Sequence, residues 1–276
     1  MIEKKKWSDQ AHEVWQIDGK EQVSLSKDQE VSWMNIADEG TSAHLKAFVR
    51  EVSKVAQMDA QAVTQQINTC FERWGLPEQI KIDNGLPFVY PRARDIPTLT
   101  KLWWIGLGIK VIQNAPRCPQ QNGIVECSQG IMCNWSNPKD ALSIDDLQQR
   151  LDEESDFQRN YYKMPNKKLK TRIELHPNLE ENPRTYAVEN FDMQRVYDYL
   201  SNKVFKRTVS NSGLLSFWGM DIYIGKKFAK LPITITLDMI EMQWLFRKED
   251  GTLMKTHTEG IPNEIQIKEF AVMSMN

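Results

Sequence analysis

Nowhere does the chain carry an apolar run approaching the roughly 20 residues needed to cross a bilayer, and MIEKKKW at its start leads into polar chain instead of a signal-peptide core. Cysteine is scarce. The four present, Cys70, Cys118, Cys127 and Cys133, form no CxxC pair and have no histidine at ligand spacing, which leaves a disulfide framework and a structural zinc site without support. Positive charge is not in excess either: 35 Lys and Arg against 37 Asp and Glu give a formal charge of −2. Non-specific grip on nucleic acid comes mainly from neutralising phosphates, so any such contact must be confined to local patches. These absences predict a cytoplasmic protein with reduced thiols and no membrane partner.

What is present suffices for ordinary cores. A length of 276 residues at 41% hydrophobic content suits two compact units better than one. Basic patches do occur. Lys163, Lys167, Lys168, Lys170 and Arg172 fall within YYKMPNKKLKTR, which holds no acid and follows the acidic DDLQQRLDEESD. Lys203, Lys206 and Arg207 form a second group, and Lys226, Lys227 and Lys230 a third. Such clusters are by default solvated faces.

Three acids stand at positions suited to holding a metal. Asp18 follows the apolar run Val14, Trp15, Ile17, which reads as a buried strand, and Asp83 follows Ile80 and Ile82 and precedes the turn signal Asn84-Gly85. Glu126 lies just past Asn122-Gly123, where a loop gives way to a helix. Singly, an Asp of this kind is a turn former. As a set of hard oxygen donors the three suit magnesium or manganese over zinc.

The periodicity predicts strands over 14–17, 22–25 and 31–37 as an antiparallel meander, and a helix over 59–73 capped by Asp59 and stopped by Gly75-Leu76-Pro77. A strand over 79–82, a helix over 98–107, a strand over 110–112 and a helix over 122–135 follow. Asp38 at the end of the third strand reads as a turn residue, and His12 and His44 as ordinary surface or half-buried histidines.

The strings WQIDGKE, DNGLPF and P-x-x-NG-x-x-E, in this order, closely resemble the integrase catalytic core shared by retroviral integrases and many bacterial transposases. The match rests on Trp15 and Asp18, on Asp83, Asn84, Gly85 and Phe88, and on Pro119, Asn122, Gly123 and Glu126, and spans about residues 1–138. The resemblance implies a ribonuclease-H-like α/β fold, a mixed sheet flanked by helices. It implies a DDE triad of Asp18, Asp83 and Glu126 binding two divalent ions, magnesium or manganese, for DNA strand cleavage and strand transfer. Asp18 would bridge, with Asp83 on one ion and Glu126 on the other. DNA, as element ends and target, is the implied partner, in a homo-oligomer when active, with the protein at the bacterial nucleoid. Asn122, the 163–172 cluster, and Lys226 with Lys227 are then the expected DNA contacts.

Two departures from the family pattern stand out. The interval from Asp83 to Glu126 is longer than in the retroviral form, and 89–97, with two prolines and two arginines, reads as a loop insertion. Cys127 stands where relatives often carry a base, so a catalytically silent, integrase-fold DNA-binding protein is the alternative. No helix-turn-helix fits before Trp15, which points to a fragment, to a separate end-recognition protein, or to recognition from the C-terminal half.

Beyond the core, Ser143 to Asp146 reads as a capping box opening a helix to about Tyr162, followed by a basic linker up to 187. From 188 onward, short Val, Ile, Phe, Tyr and Trp runs between turns such as Asn211-Ser212-Gly213 and Asp250-Gly251 predict an all-β unit. It resembles the small DNA-binding β-barrel that follows the core in such transposases, with Trp218 and Tyr223 as further contacts, core packing being preferred for Trp218.

Overall fold

The structure, a computed structural model, describes residues 8–25, 29–51, 60–85, 87–90, 93–115 and 122–272. Asp59, Cys118, Pro119, Pro91 and Arg92 lie outside the described residues. The chain runs β1 (Val14–Ser24), β2 (Glu30–Asp38), β3 (His44–Glu51), α1 (Ala60–Trp74), β4 (Gln79–Ile82), α2 (Leu99–Gly106), β5 (Lys110–Gln113), α3 (Gly123–Ser136), α4 (Ile144–Asn160), α5 (Arg172–Leu175), α6 (Met193–Ser201), β6 (Phe205–Thr208), β7 (Leu214–Phe217), β8 (Met220–Tyr223), β9 (Pro232–Asp238), β10 (Gln243–Lys248), β11 (Leu253–His257) and α7 (Glu264–Val272). It divides into two compact units, Met1–Phe88 with Ile109–Ala187, and Val89–Gly108 with Val188–Asn276. No helix among the described residues is long and apolar enough to cross a membrane.

The first unit is built on a sheet of order β3-β2-β1-β4-β5. β1 pairs antiparallel with β2 and β2 with β3, while β1–β4 and β4–β5 are parallel. This mixed sheet with flanking helices fits the expected ribonuclease-H-like integrase core. The meander differs in detail. The segments 14–17 and 22–25 are one strand, β1, whose register against β2 shifts between Lys20 and Val23, and the third strand is β3, which carries too many polar residues to announce itself. The shift is a bulge, and it has a packing reason: side chains alternate across a strand, so one extra residue keeps Val23 and Leu25 on the same face as Gln16 and Asp18. On that face Val23, Leu25, Val31, Trp33, Ala47 and Val49 pack with Met132 of α3 and Leu147 and Leu151 of α4. The opposite face receives α1 through Val63, Ile67, Phe71 and Trp74, with the Trp15 and Phe71 rings 5.7 Å apart. Gly75 ends α1 in the left-handed region, φ +73, which a side chain would resist.

α4 also covers the sheet edge. The side chain of Gln148 accepts from Val49 N at 2.9 Å and donates to the Ala47 carbonyl at 2.9 Å, occupying backbone groups of β3 as a further strand would. Gln158 Oε1 accepts from His44 N at 3.0 Å, and the His44 ring, fully buried, bonds Ser155 Oγ at 2.7 Å and Asn35 Oδ1 at 3.1 Å. Half of the expected capping box forms: Ser143 Oγ accepts from Asp146 N at 3.1 Å, but Asp146 Oδ2 reaches back to Leu142 N at 2.8 Å. The stretch after α4 is not the expected linker. Met164 N donates to the Lys170 carbonyl at 3.0 Å, closing a short loop, and a complete capping box of Thr171 and Glu174 starts α5.

The second unit corrects the all-β expectation. Among the described residues from 188 onward stand two helices, α6 and α7, besides a four-stranded sheet β11-β10-β9-β6 and the separate hairpin β7-β8, so a closed barrel is not what these residues form; the helix expected over 98–107, α2, belongs to the same unit. α6 escaped notice because it is one short amphipathic segment among strands, capped by Asp192 and burying only Val196 and Leu200. α2 packs against α6 and α7. Its last carbonyl, Gly106 O, accepts from Asp192 N and from Arg195 Nη1, both at 2.9 Å, so a cation sits at the negative end of the helix. Phe191 stacks on Trp103 at 5.1 Å. Phe205, Phe217, Trp218 and Trp244 form an aromatic core of edge-on and tilted rings between β6, the β7-β8 hairpin and β10. Trp218 thus packs as preferred.

Two expected outcomes follow. Burial, reinforced by the positive charges of Arg159 and Lys46, lowers the His44 pKa to about 3. The unfolded chain binds that proton near pH 6.5, so the His44 contribution is whole above that pH and is lost as pH falls towards 3. Its slope approaches about 1.4 kcal/mol per pH unit. Urea titrations across that window should show this acid slope, and His44→Gln should flatten it. Gly106→Ala places a Cβ 2.1 Å from the Phe191 ring; urea unfolding followed in the second unit should show a loss of about 1–3 kcal/mol.

Candidate active site

β1 and β4 run parallel with Ile17 opposite Ile82. Asp18 and Asp83 are the next residues along each, so the backbone brings the two aspartates to neighbouring positions at the C-terminal end of the central strand pair. Asp18 is still paired with Asn35 of β2, whereas Asp83 has left β4. Gln16 shows which way this face looks. Alternation puts it on the Asp18 side, and its Oε1 accepts from Val125 N, in the first turn of α3, at 3.1 Å. Its Nε2 donates to Glu39 Oε2 at 2.6 Å, an oxygen that also takes the Lys81 ammonium. Glu126, exposed, is the next residue of that turn. A carboxylate there is favoured by the helix N-terminus.

The Asp83 carboxylate is held by its own turn. Gly85 N donates to Asp83 Oδ1 at 3.0 Å, and a Cβ on Gly85 would come within 2.8 Å of Asp83 Oδ2, so the glycine leaves room for the carboxylate. Behind the turn runs a chain of carboxamides. Gln113 Nε2 donates to Asn84 Oδ1 at 2.6 Å and Asn84 Nδ2 to the Asn114 carbonyl at 2.9 Å. Asn114 N bonds the Ile82 carbonyl at 3.0 Å, and its Nδ2 bonds Asn122 Oδ1 at 2.6 Å. The end of β4, the end of β5 and the start of α3 are thereby tied together, which fixes the elements carrying Asp83 and Glu126 relative to one another. Gln16, Gln113 and Asn114 were missed in the sequence; the signal was a glutamine inside an apolar strand and a Gln-Asn pair at a strand end.

Other expected residues fall differently. Asp38 performs turn duty, accepting from Thr41 N at 2.8 Å, Thr41 Oγ1 at 2.7 Å and His12 N at 2.8 Å, and burial raises its pKa against these bonds. The His12 ring is buried and bonds the Leu179 carbonyl at 2.9 Å. The Asn122 carboxamide is buried in its bond to Asn114. Lys163, Lys167, Lys168 and Lys170 are exposed, as are Lys226 and Lys227 in the other unit. Arg172 does not join them: it is 6% exposed, its Nε and Nη1 donate to the Ser42 and Gln158 carbonyls at 2.9 and 3.0 Å, and burial lowers its pKa to about 10. It ties α5 to the β2–β3 turn and to α4.

The donor set is all carboxylate, which suits magnesium or manganese. Among the described residues no three acidic, histidine or cysteine side chains stand together as a ready metal site, and Glu126 is exposed on the first turn of α3.

No protein-family model matches the chain. Among solved structures it is similar to the simian T-cell lymphotropic virus intasome in complex with PP2A regulatory subunit B56 gamma, at 14% identity over 92% of this chain and 79% of that one, TM-score 0.49. The HTLV-2 integrase catalytic core domain in complex with magnesium matches at 18% identity over 61% of this chain and 99% of that one, TM-score 0.46. The BIV integrase catalytic core domain matches at 16% identity over 60% and 95%, TM-score 0.43. Its structural neighbours thus include retroviral integrase catalytic cores.

The carboxamide chain makes a prediction. Asn122→Ala leaves Asn114 Nδ2 buried without its acceptor and should cost about 1–3 kcal/mol in urea unfolding. Asn114→Ala together with Asn122→Ala should cost less than the sum of the single changes, a coupling that a double-mutant cycle measures.

Proposed function

We propose that this chain is a DDE-type polynucleotidyl transferase, a transposase or integrase that cleaves DNA strands and joins them to target DNA with divalent metal. One observation supports the reading: the parallel register of β1 on β4 ends with Ile17 opposite Ile82, so that Asp18 and Asp83 are the next residues of the two adjacent chains, and Gln16, two residues before Asp18, bonds the first turn of α3, which carries Glu126. The motif strings around the three acids, which resemble the integrase core, supply the reaction class.

Asp18, Asp83 and Glu126 would hold two ions, magnesium or manganese, which when bound activate the attacking water or 3′-hydroxyl and stabilise the leaving oxygen. The chain's own residues position the acids. Gln16 fixes the first turn of α3 to β1, and the Asp83–Gly85 turn with its carboxamide backing fixes Asp83. The exposed lysines 163, 167, 168 and 170, and 226 and 227 of the second unit, take phosphates of element ends and target. The second unit, through these two lysines, serves as a further DNA-binding part. The active form is a homo-oligomer at the bacterial nucleoid. The second reading, a silent DNA-binding relative, draws on the exposed Cys127 beside Glu126.

Nicking and joining assays with magnesium or manganese on DNA carrying element ends separate the two. Asp18→Asn, Asp83→Asn or Glu126→Gln should each lower the metal-dependent activity by more than about 100-fold, exceeding what second-layer changes cost, with DNA binding kept. Strand transfer retained in any one of them would remove that residue from the site. Binding without cutting by the unaltered chain would favour the silent reading.

A further inference from the structure

The end of α4 and the loop after it expose rings that the core does not need. Trp135 of α3 packs against the inner core. Phe157 lies against it at 5.7 Å and Tyr162 at 5.2 Å. Yet Phe157 keeps 45% of its surface exposed, and Tyr161, whose ring lies near-parallel to that of Phe157 at 6.3 Å, keeps 65%. Next to them the 164–170 loop turns through two successive non-glycine residues in the left-handed region, Lys168 at φ 56 and Leu169 at φ 58. Such a conformation is costly for residues with side chains, and the loop holds it through bonds from Lys167 N, Leu169 N and Met164 N. The turn leaves Lys167, Lys168 and Lys170 in solvent, with Lys163 directly after the rings. None of the four lysines forms an ion pair among the described residues.

We propose that this aromatic and lysine platform, Phe157 and Tyr161 with Lys163, Lys167, Lys168 and Lys170, binds unpaired nucleotides of a DNA strand, a base stacking on the exposed ring of Tyr161 while the lysines take its phosphates. The inference rests on the reading of the chain as a DNA-acting protein and deepens it. Charge decides among occupants. A second copy docked here by a two-fold axis would set the lysines of one platform against those of the other, a like-charge contact that association avoids. A polyanion gains from the same charge. An intact duplex keeps its base faces within the stack, where an exposed ring cannot reach them, whereas an unpaired strand presents them. Stacking is indifferent to base identity, so the platform would hold a frayed or displaced strand of any sequence.

The test is fluorescence anisotropy on the full chain without divalent metal, at several salt concentrations. Three labelled probes of equal phosphate number are compared: a thymine single strand, the same strand made abasic, and a duplex. The unaltered protein should prefer the base-bearing strand to the abasic one. Tyr161→Ala should weaken binding of the base-bearing strand about 10-fold and leave the abasic strand and the duplex unchanged, Tyr161→Phe should retain the preference, and Phe157→Ala should reduce it. Replacing Lys167, Lys168 and Lys170 by Gln should weaken all three probes and lower the single-strand salt slope by roughly 2. An unchanged preference in Tyr161→Ala, or an equal loss on the abasic strand, overturns the proposal. So does sedimentation showing that Tyr161→Ala dissolves a dimer while the preference stays. Metal-dependent nicking by the unaltered chain and by Asp18→Asn is measured in parallel. A chain that never nicks but keeps the Tyr161-dependent preference loses the catalytic reading and not this one.

Discussion

The candidate site depends on the parallel ladder between β1 and β4. A ladder slipped by one residue would turn every side chain of one strand to the opposite face, and Asp83 would then no longer stand beside Asp18. The register is held by what lies on either side of it. Trp15, Ile17, Ile80 and Ile82 are all fully buried, while Gln16, Lys81 and Glu39 form a buried polar group on the face of Asp18. The apolar set cannot exchange places with the polar one without leaving a charge unpaired in the core. The same pattern that makes the sheet fold therefore also makes the two aspartates neighbours.

The helix that carries the third acid is placed by a different route. α3 is joined to the sheet by packing of Val125 and Met132, which is non-directional, and by two directional ties at its start: the Gln16 bond to Val125 N and the Asn114 bond to Asn122. Packing alone would let the helix slide or rotate; hydrogen bonds to buried polar groups do not. Carboxamides suit this place because they carry both donor and acceptor without charge. The exposed position of Glu126 then follows from its helix turn, whose inner side is occupied by Val125.

Much of this was legible in the sequence. The strings around Asp18, Asp83 and Glu126 marked the acids, and β4, β5, α1 and α3 stand within a residue or so of where periodicity put them, because each is short, capped or bounded by Gly and Pro. The failures have physical causes. β1 was broken in two because the polar Gly19-Lys20-Glu21 stretch, which leads into the bulge between Lys20 and Val23, mimics a turn. β3 was missed because its edge is covered by glutamines of α4, so its own residues need not be apolar. Arg172 was grouped with surface lysines, since nothing local tells that Ser42 and Gln158, distant in sequence, will bury it. α6 and α7 were hidden because a helix of nine residues needs only two apolar positions when other helices complete its core.

By itself, then, the sequence determined the identity and order of the carboxylates, the strand and helix types that carry them, and the local turn that seats Asp83, all matters of spacing and residue chemistry within a few positions. Tertiary structure alone decided that Asp18 and Asp83 adjoin, that Gln16 and Asn114 fix α3, that Arg172 is a brace and that Phe157 and Tyr161 stand free beside lysines. The longest-reaching of these join Gln16 to Val125, 109 residues on, and Arg172 to Ser42, 130 residues back, and only a closed fold, with its register and burial set at once, selects which distant residues meet.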